Sequence, residues 1–373
     1  MKYKTYKNGQ KLSCLGMGNM RLPVINKDDS QIDFAKAKAM IDRCMESGIN
    51  YYDTAFIYHG GKSEEFLGKA LAEYPRESFC VADKFNMLAN PDYKAQFAEQ
   101  LTRLQMDYID FYLLHGVQDA FVEGILQSGC IEYFDEMKKQ VKIRAFGFSY
   151  HGSPAMLHKM LEAHSWDFVQ IQLNYYDWYF GDAKELYEIL EQANIPVMVM
   201  EPVHGGLLAN LTEKAAGVLK KAAPEQSLAS WAMRWVMDLE NVQVVLSGMS
   251  DLSQLEDNLD TFGEIRPLTA EEQELIKTAA VIQHEAVAVA CTACRYCCPN
   301  CPQGLDIPVL LKAYNEAKIG GAWRLSGLMV LPKDKLPSAC VGCGACTEHC
   351  PQSFEIPRYM DEMKEMLKQF ENQ

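Results

Sequence analysis

Two cysteine runs of the same spacing dominate the last quarter of the chain. Cys291, Cys294, Cys297 and Cys301 follow C-x2-C-x2-C-x3-C, and Pro302 comes next. Cys340, Cys343, Cys346 and Cys350 repeat the pattern, again closed by a proline, Pro351. Three thiolates on one tight loop can hold three corners of an iron–sulfur cubane. The fourth thiolate then starts a new direction, with proline fixing the turn. Nine of the 13 cysteines fall between Cys291 and Cys350. Clustering of this kind in a chain with no visible export signal points to metal rather than to a disulfide scaffold. The spacing predicts two 4Fe–4S clusters. A structural zinc pair is the alternative, but it usually needs C-x2-C pairs farther apart, with no third cysteine three residues on.

Both runs resemble the motif of bacterial two-cluster ferredoxins, in which the fourth cysteine of each run ligates the other cluster. The resemblance implies one cluster on Cys291, Cys294, Cys297 and Cys350. The other takes Cys340, Cys343, Cys346 and Cys301. Cys298 reads as a spare thiol, because the three-residue step fits Cys297. The 38 residues between Cys301 and Cys340 exceed what a compact ferredoxin uses. Within them IPVLLKAYNEAKIGG has helical periodicity, and DEMKEMLKQF forms a closing helix. Residues 286–373 are therefore expected to form a small α-helical, ferredoxin-like two-cluster domain.

Charge marks the boundary. From Cys291 onward nine basic and nine acidic residues balance, leaving 27 basic and 41 acidic residues before it. The net charge of −14 thus sits on residues 1–290. An acidic total argues against nucleic acid or an anionic membrane as the main partner. The start, MKYKTYKNGQKLSC, has no apolar signal region, and no apolar run reaches the roughly 18 residues of a membrane span. A soluble, cytoplasmic protein is the expectation.

The region before the boundary alternates strands and helices. Short β-rich runs recur as LSCLGMG, INYYDTA, SFCVADK, IDFYLLH, IRAFGFS, FVQIQLN, PVMVME and VQVVLSG. Between them AKAKAMIDRCMESG, SEEFLGKALAEY, QSLASWAMRWVM and SDLSQLEDNLD carry helical periodicity. Eight strands, each followed by a helix, over about 260 residues match a (β/α)8 TIM barrel, placed at residues 1–285. A doubly wound open sheet is the alternative. Its Gly-rich fingerprint is incomplete here, since the first strand gives GMGNM without the third glycine.

Chemistry in such a barrel sits where strands end. The second strand ends at Asp53, with Tyr58 five residues on; the third ends near Lys84 and the fourth near His115. A tyrosine hydroxyl can protonate a carbonyl oxygen, although its ordinary pKa is about 10. A neighbouring lysine ammonium favours the phenolate, and an aspartate holds that ammonium charged and aimed. A histidine can orient the carbonyl. Each residue also has a plain structural reading as a cap, a solvated strand end or a core side chain. Four of them at neighbouring strand ends favour the joint one.

On D-T-A-x2-Y at Asp53–Tyr58, A-D-K-F around Lys84 and L-L-H-G around His115, the chain resembles the aldo-keto reductase family. More narrowly, it resembles the branch with a fused C-terminal ferredoxin-type domain. LGMGNMRLP and the GFS at Gly147–Ser149 are similar to further markers of the family. The resemblance implies that Tyr58 is general acid for reduction and base for oxidation. Lys84 tunes it, Asp53 supports Lys84, and His115 positions the carbonyl. It also implies an NAD(H) or NADP(H) cofactor. Ser149 and Gln170 would hold its carboxamide, Gly18 and Asn19 would lie on the cofactor side, and Gly248, Gln254, Asp257 and Asn258 would lie along the adenosine.

Three positions depart from the family pattern. Gly248 and Gln254 stand where NADPH-specific members offer a lysine and an arginine, so NAD is at least as well suited. Tyr150 replaces the asparagine usual after Ser149. Met200 replaces the aromatic that usually stacks on the nicotinamide, and a thioether packs there more weakly. These departures leave room for a flavin. Tyr175, Tyr176, Trp178 and Tyr179 offer aromatic replacements or a pocket wall. Arg21 and His204 are candidates for an anionic substrate by position alone.

The expected function is an oxidoreductase interconverting a small carbonyl and an alcohol, with two 4Fe–4S clusters exchanging electrons with a ferredoxin-like partner. The alternatives are a reductase whose clusters are purely structural and a nicotinamide-binding redox sensor.

Overall fold

The computed structural model describes residues 1–26, 28–264, 266–320 and 322–371. Eight parallel strands close into a barrel in the spatial order β10-β3-β4-β5-β6-β7-β8-β9. They are β3 (Leu15–Gly18), β4 (Tyr51–Asp53), β5 (Cys80–Phe85), β6 (Ile109–Val117), β7 (Ile143–Tyr150), β8 (Phe168–Gln172), β9 (Val197–Met200) and β10 (Val242–Ser247). Each expected strand run is present. LSCLGMG, however, is two elements rather than one. Lys11–Ser13 (β2) pairs antiparallel with Tyr3–Thr5 (β1), and β3 begins only at Leu15. The break is local hydrogen bonding: Ser13 Oγ donates to Leu15 O at 2.7 Å, and Asn50 Oδ1 accepts from Ser13 N at 2.8 Å.

Strand alternation fills the barrel. Tyr51, Cys80, Ala82, Phe111, Leu113, Ala145, Phe168, Met198, Val244 and Leu246 form one buried cluster with Tyr6 and Leu12 of the hairpin region. Side chains two residues apart share a face of a strand. Continuing each inward series to the strand's C-terminal end reaches Asp53, Lys84, His115, Ser149, Gln170 and Met200. The polar set is thus the top layer of the barrel interior, and the hydrophobic layers beneath it exclude water from below.

The chain divides into two compact units. One comprises Met1–Pro202 and Ala229–Ala270 and contains the whole barrel; the other comprises Val203–Leu228 and Glu271–Gln373. This differs from a single cut at 285. The helix Ala270–Ala286 lies almost wholly in the second unit, where Gln283 Oε1 accepts from Thr212 N at 2.8 Å. Residues 203–228 join the unit through side chains and backbone that charge and cysteine counts do not report.

The second unit holds the helices Ile307–Gly320 and Ile356–Glu371. Gly321, the last residue of the expected helical stretch, lies outside the described residues. Leu310, Leu311, Tyr314, Ile356, Met360 and Met363 meet in a buried cluster that also takes in Cys297 and Cys346. No helix among the described residues is long and apolar enough to cross a membrane.

Candidate functional site

Asp53, Lys84 and His115 come together at the barrel mouth because their strands are neighbours, β4 with β5 and β5 with β6. Lys84 is fully buried, and its Nζ donates to Asp53 Oδ1 at 2.6 Å and to Thr54 O at 2.6 Å. Burial pushes the Asp53 carboxyl above its ordinary range, and the Lys84 ammonium pulls it partly back. Tyr58 opens a short 3-10 turn, Tyr58–Gly61, just past β4. Lys84 Nζ lies 4.9 Å from the centre of the Tyr58 ring. The His115 ring meets Tyr58 edge-on, with centres 5.8 Å apart. Enclosure by protein lowers the His115 pKa well below that of a free imidazole, and Lys84 and then His151 lower it further. At neutral pH His115 is therefore an uncharged ring beside the Lys84–Asp53 pair, an arrangement suited to proton delivery and carbonyl orientation.

Around this group lie two buried amides whose oxygens have no partner among the described residues. Asn19 donates through Nδ2 to Met17 O and Asp53 O, at 3.2 and 2.9 Å, while its Oδ1 is unpaired. Gln170 Nε2 reaches only Met200 Sδ, at 3.5 Å, and its Oε1 is unpaired. Buried oxygens left this way call for a donor. An amide NH2 of the nicotinamide type satisfies that need. Ser149 Oγ accepts from Gly116 N at 2.8 Å. At Gly18 an added Cβ would stand 3.3 Å from Ser247 O, so the backbone there is close to β10.

The adenosine-side candidates are arranged differently. Gln254 Oε1 accepts from Ser250 N at 2.8 Å, and Asn258 is buried with Nδ2 donating to Ser247 Oγ at 3.0 Å. Asp257 O accepts from Thr261 Oγ1 in the same helix, Leu252–Gly263. The Arg21 stem lies over Gly248, its Cγ 3.0 Å from where a Cβ would be. Tyr150 faces out of the barrel by strand parity, and its hydroxyl donates to Ser153 O at 2.6 Å.

Two expectations are corrected. His204 does not present itself to a substrate: it is buried in the second unit, with Nε2 2.7 Å from Ala290 O. Trp178 of the aromatic group after β8 packs rather than facing a cofactor, meeting Trp235 edge-on at 5.2 Å and lying 5.7 Å from Tyr187. Sequence reading passed over Thr54, whose carbonyl is the second acceptor for Lys84. It also passed over Asn86, two residues past Lys84, with Nδ2 3.3 Å from His115 Nδ1. The strand-end rule could have reached Asn86, but nothing in the sequence sets its side-chain direction.

In the second unit the two cysteine runs share a backbone form. Ala293 and Arg295 have positive φ, at 51° and 68°, and the matching Gly342 and Gly344 have 70° and 79°. Left-handed residues at the same two places in each run make the same tight loop twice, the first run doing so without glycine. Cys301, Cys340, Cys343 and Cys346 line one cavity together with Leu305, Ile307 and Met360. Cys291 senses Cys294, Cys298 and Cys350, while Cys297 senses Cys294 and Cys291. Cys301 thus lies with the first three cysteines of the second run, and Cys350 acts on Cys291 of the first. Four thiols around one apolar hollow are a donor set that suits an iron–sulfur cluster.

The profile of the aldo/keto reductase family matches residues 14–280. The chain belongs to the aldo/keto reductase family. A profile described as 4Fe-4S dicluster domain matches residues 290–354. This aldo/keto reductase is 27% identical to the uncharacterized oxidoreductase YqkF of Bacillus subtilis, over 65% of this chain and 87% of that one. It is 26% identical to L-galactose dehydrogenase of Arabidopsis thaliana, over 74% and 92%. Among solved structures, the holo form of aldo-keto reductase AKR11C1 from Bacillus halodurans superposes with a TM-score of 0.62 at 28% identity, covering 75% of this chain and 96% of that one. The chain is thus an aldo/keto reductase-type oxidoreductase with a 4Fe–4S domain, and its family acts on small carbonyls or alcohols.

Proposed function

We propose that the protein interconverts a small carbonyl compound and its alcohol with NAD(H) or NADP(H), using Tyr58, Lys84, Asp53 and His115. The observation that carries this reading is the buried Lys84 ammonium, 2.6 Å from Asp53 Oδ1 and 4.9 Å from the Tyr58 ring centre. A nicotinamide bound beside Asn19, Ser149 and Gln170 would supply the hydride. The Tyr58 hydroxyl delivers a proton to the carbonyl oxygen as that oxygen gains charge. Lys84 stabilises the phenolate left behind, and Asp53 together with Thr54 O keeps the ammonium charged and aimed. His115, neutral beside Lys84, orients the carbonyl by a hydrogen bond. In the alcohol direction Tyr58 takes the proton back.

Cys291, Cys294, Cys297 and Cys350 would hold one 4Fe–4S cluster, and Cys340, Cys343, Cys346 and Cys301 the other. Such clusters supply single electrons, and a ferredoxin-like protein is the partner suited to exchange them. The decisive experiment compares the iron-replete, anaerobic protein with its Tyr58→Phe variant on a model aldehyde. Loss of turnover with unchanged cluster absorbance supports the assignment, and equal turnover sinks it. Titration with NADH and then NADPH, followed by EPR, shows whether the clusters take electrons from the nicotinamide. Clusters that stay oxidised while the aldehyde is reduced would leave the barrel working alone.

A further inference from the structure

We propose that Asn86 is a positioning residue that fixes the tautomer of His115, keeping the single ring proton on Nε2. The inference deepens the carbonyl-reductase reading and rests on it for its meaning, though not for its test. Asn86 follows β5 and is held from several sides. Its backbone N–H donates to Gln96 Oε1 at 2.7 Å, and its carbonyl accepts from Gln96 Nε2 at 3.0 Å. Gln96 is itself buried in the helix Tyr93–Leu104. The side-chain amide has only one workable orientation. Ala89 N–H donates to Asn86 Oδ1 at 2.9 Å, and a backbone N–H cannot donate to an NH2 group. The oxygen is therefore fixed on the Ala89 side, and Nδ2 faces His115 Nδ1 at 3.3 Å.

An amide nitrogen only donates, so His115 Nδ1 must accept. A neutral imidazole that accepts at Nδ1 carries its proton on Nε2. An imidazolium, with protons on both nitrogens, would set two donors against each other at Nδ1. The groups facing this ring push the same way. Lys84 on β5 and His151 past β7 disfavour positive charge on it, and Tyr58, in the turn after β4, meets it edge-on. The consequence is a donor at Nε2 over the neutral pH range. A carbonyl oxygen that gains negative charge needs a donor, and the other tautomer would offer it a lone pair.

The test is ring 15N NMR of the anaerobic holoprotein labelled with [15N]histidine, at pH 7.5 without substrate, with His115→Gln identifying the signal. The wild type should show a protonated Nε2 and a bare Nδ1. Asn86→Asp keeps an oxygen for Ala89 N–H and changes only the atom facing His115, so the loop retains its anchor. There the ring proton should appear on Nδ1, and kcat/KM for a model aldehyde should fall about a hundred-fold, the scale on which loss of one donor to a developing oxyanion is felt. Asn86→Ala should give a mixture of tautomers. A wild-type ring protonated at Nδ1, or identical ring shifts in wild type and Asn86→Asp, would overturn the proposal. An Nε2–H signal in a protein that reduces no carbonyl would uphold Asn86 while sinking the reductase reading.

Discussion

Lys84 Nζ and Asp53 Oδ1 stand 2.6 Å apart with 0% and 5% of their side chains exposed, one on β5 and the other at the end of β4. Removing one member of a buried ion pair leaves the other charge without compensation, at a cost of about 3–5 kcal/mol. Lys84→Met should therefore lose stability on that scale, with Asp53 taking up a proton in response. Asp53→Asn should lose a similar amount. The double variant should recover part of the loss, because no lone charge remains. Urea unfolding of all four proteins gives the coupling, and strictly additive losses would mean that the pair is not a unit.

Acid should destabilise the barrel earlier than carboxylate titration alone would. Burial pushes His151 down to about 4, and His115 lies well below its ordinary value. The unfolded chain protonates both near pH 6.5, whereas the folded one refuses the protons. The unfolded state then binds more protons, so stability is complete above pH 6.5 and falls as pH drops toward the folded values. Each histidine contributes a slope of up to about 1.4 kcal/mol per pH unit. Asp53, with its raised pKa, works the opposite way, but only where carboxylates titrate. His151→Gln should halve the slope between pH 6.5 and 5 in urea unfolding. An unchanged slope would mean that His151 does not titrate as a buried base.

The sequence was most legible where a period or a spacing carries the information. Strand ends singled out Asp53, Lys84 and His115, and the two C-x2-C-x2-C-x3-C runs pointed to the 4Fe–4S domain that matches residues 290–354. It was least legible where a side chain chooses a direction. His204 lies past a barrel strand as an active-site residue would, yet its ring is bonded to Ala290 O. Trp178 could have faced a cofactor but lies against Trp235. Asn86 drew no reading from the sequence, because only the Ala89 N–H bond to its Oδ1 sets which end of its amide meets His115. The hairpin β1–β2 was hidden because Lys11–Ser13 and Leu15–Gly18 share one apolar run, and only the Ser13 and Asn50 hydrogen bonds divide it.

Gly147 should not tolerate a methyl group. A Cβ there would stand 2.3 Å from Phe168 O, a backbone atom of β8 that cannot move without shifting the strand. Gly147→Ala should cost about 1–3 kcal/mol as overpacking. It should also displace Ser149, two residues along the same face, and so raise KM for the nicotinamide more than for the aldehyde. Thermal unfolding and steady-state kinetics check both parts. A variant as stable as the wild type would show that β7 and β8 separate more easily than their packing implies.

The proposed crossed ligation would make a substitution in one cysteine run act on the cluster of the other. Cys350→Ser should damage the cluster of Cys291, Cys294 and Cys297, and Cys301→Ser the cluster of Cys340, Cys343 and Cys346. Cys298→Ser should leave both intact. Cys298 makes its contacts with the Ile307 backbone, Arg295 and Asp306 in addition to Cys297. Iron content should fall by about half in either ligand variant, on the rule that each run's fourth cysteine serves the other cluster. Combining Cys350→Ser with Cys291→Ser should then lower iron no further than Cys350→Ser alone. Combining it with Cys340→Ser should remove both clusters. The reverse pattern would mean that each run ligates its own cluster.

In the proposed reading, cofactor choice turns on two positions without a cation. Gly248 offers no side chain, and Gln254 is engaged with Ser250 N at 2.8 Å, so neither brings positive charge to the loop after β10. Introducing Gly248→Lys and Gln254→Arg together supplies two donors for a 2′-phosphate. The new Cβ at 248 meets the Arg21 Cγ at 3.0 Å, the stem of a flexible side chain that can swing aside. KM for NADPH should fall about ten-fold while KM for NADH changes little, since a charged hydrogen bond is worth roughly 1.5–3 kcal/mol. Added salt should erode the gain, because the contact lies on an exposed loop. Equal changes for the two cofactors would mean that the 2′-position does not lie against this loop, and the adenosine would then have to be sought elsewhere on the barrel mouth.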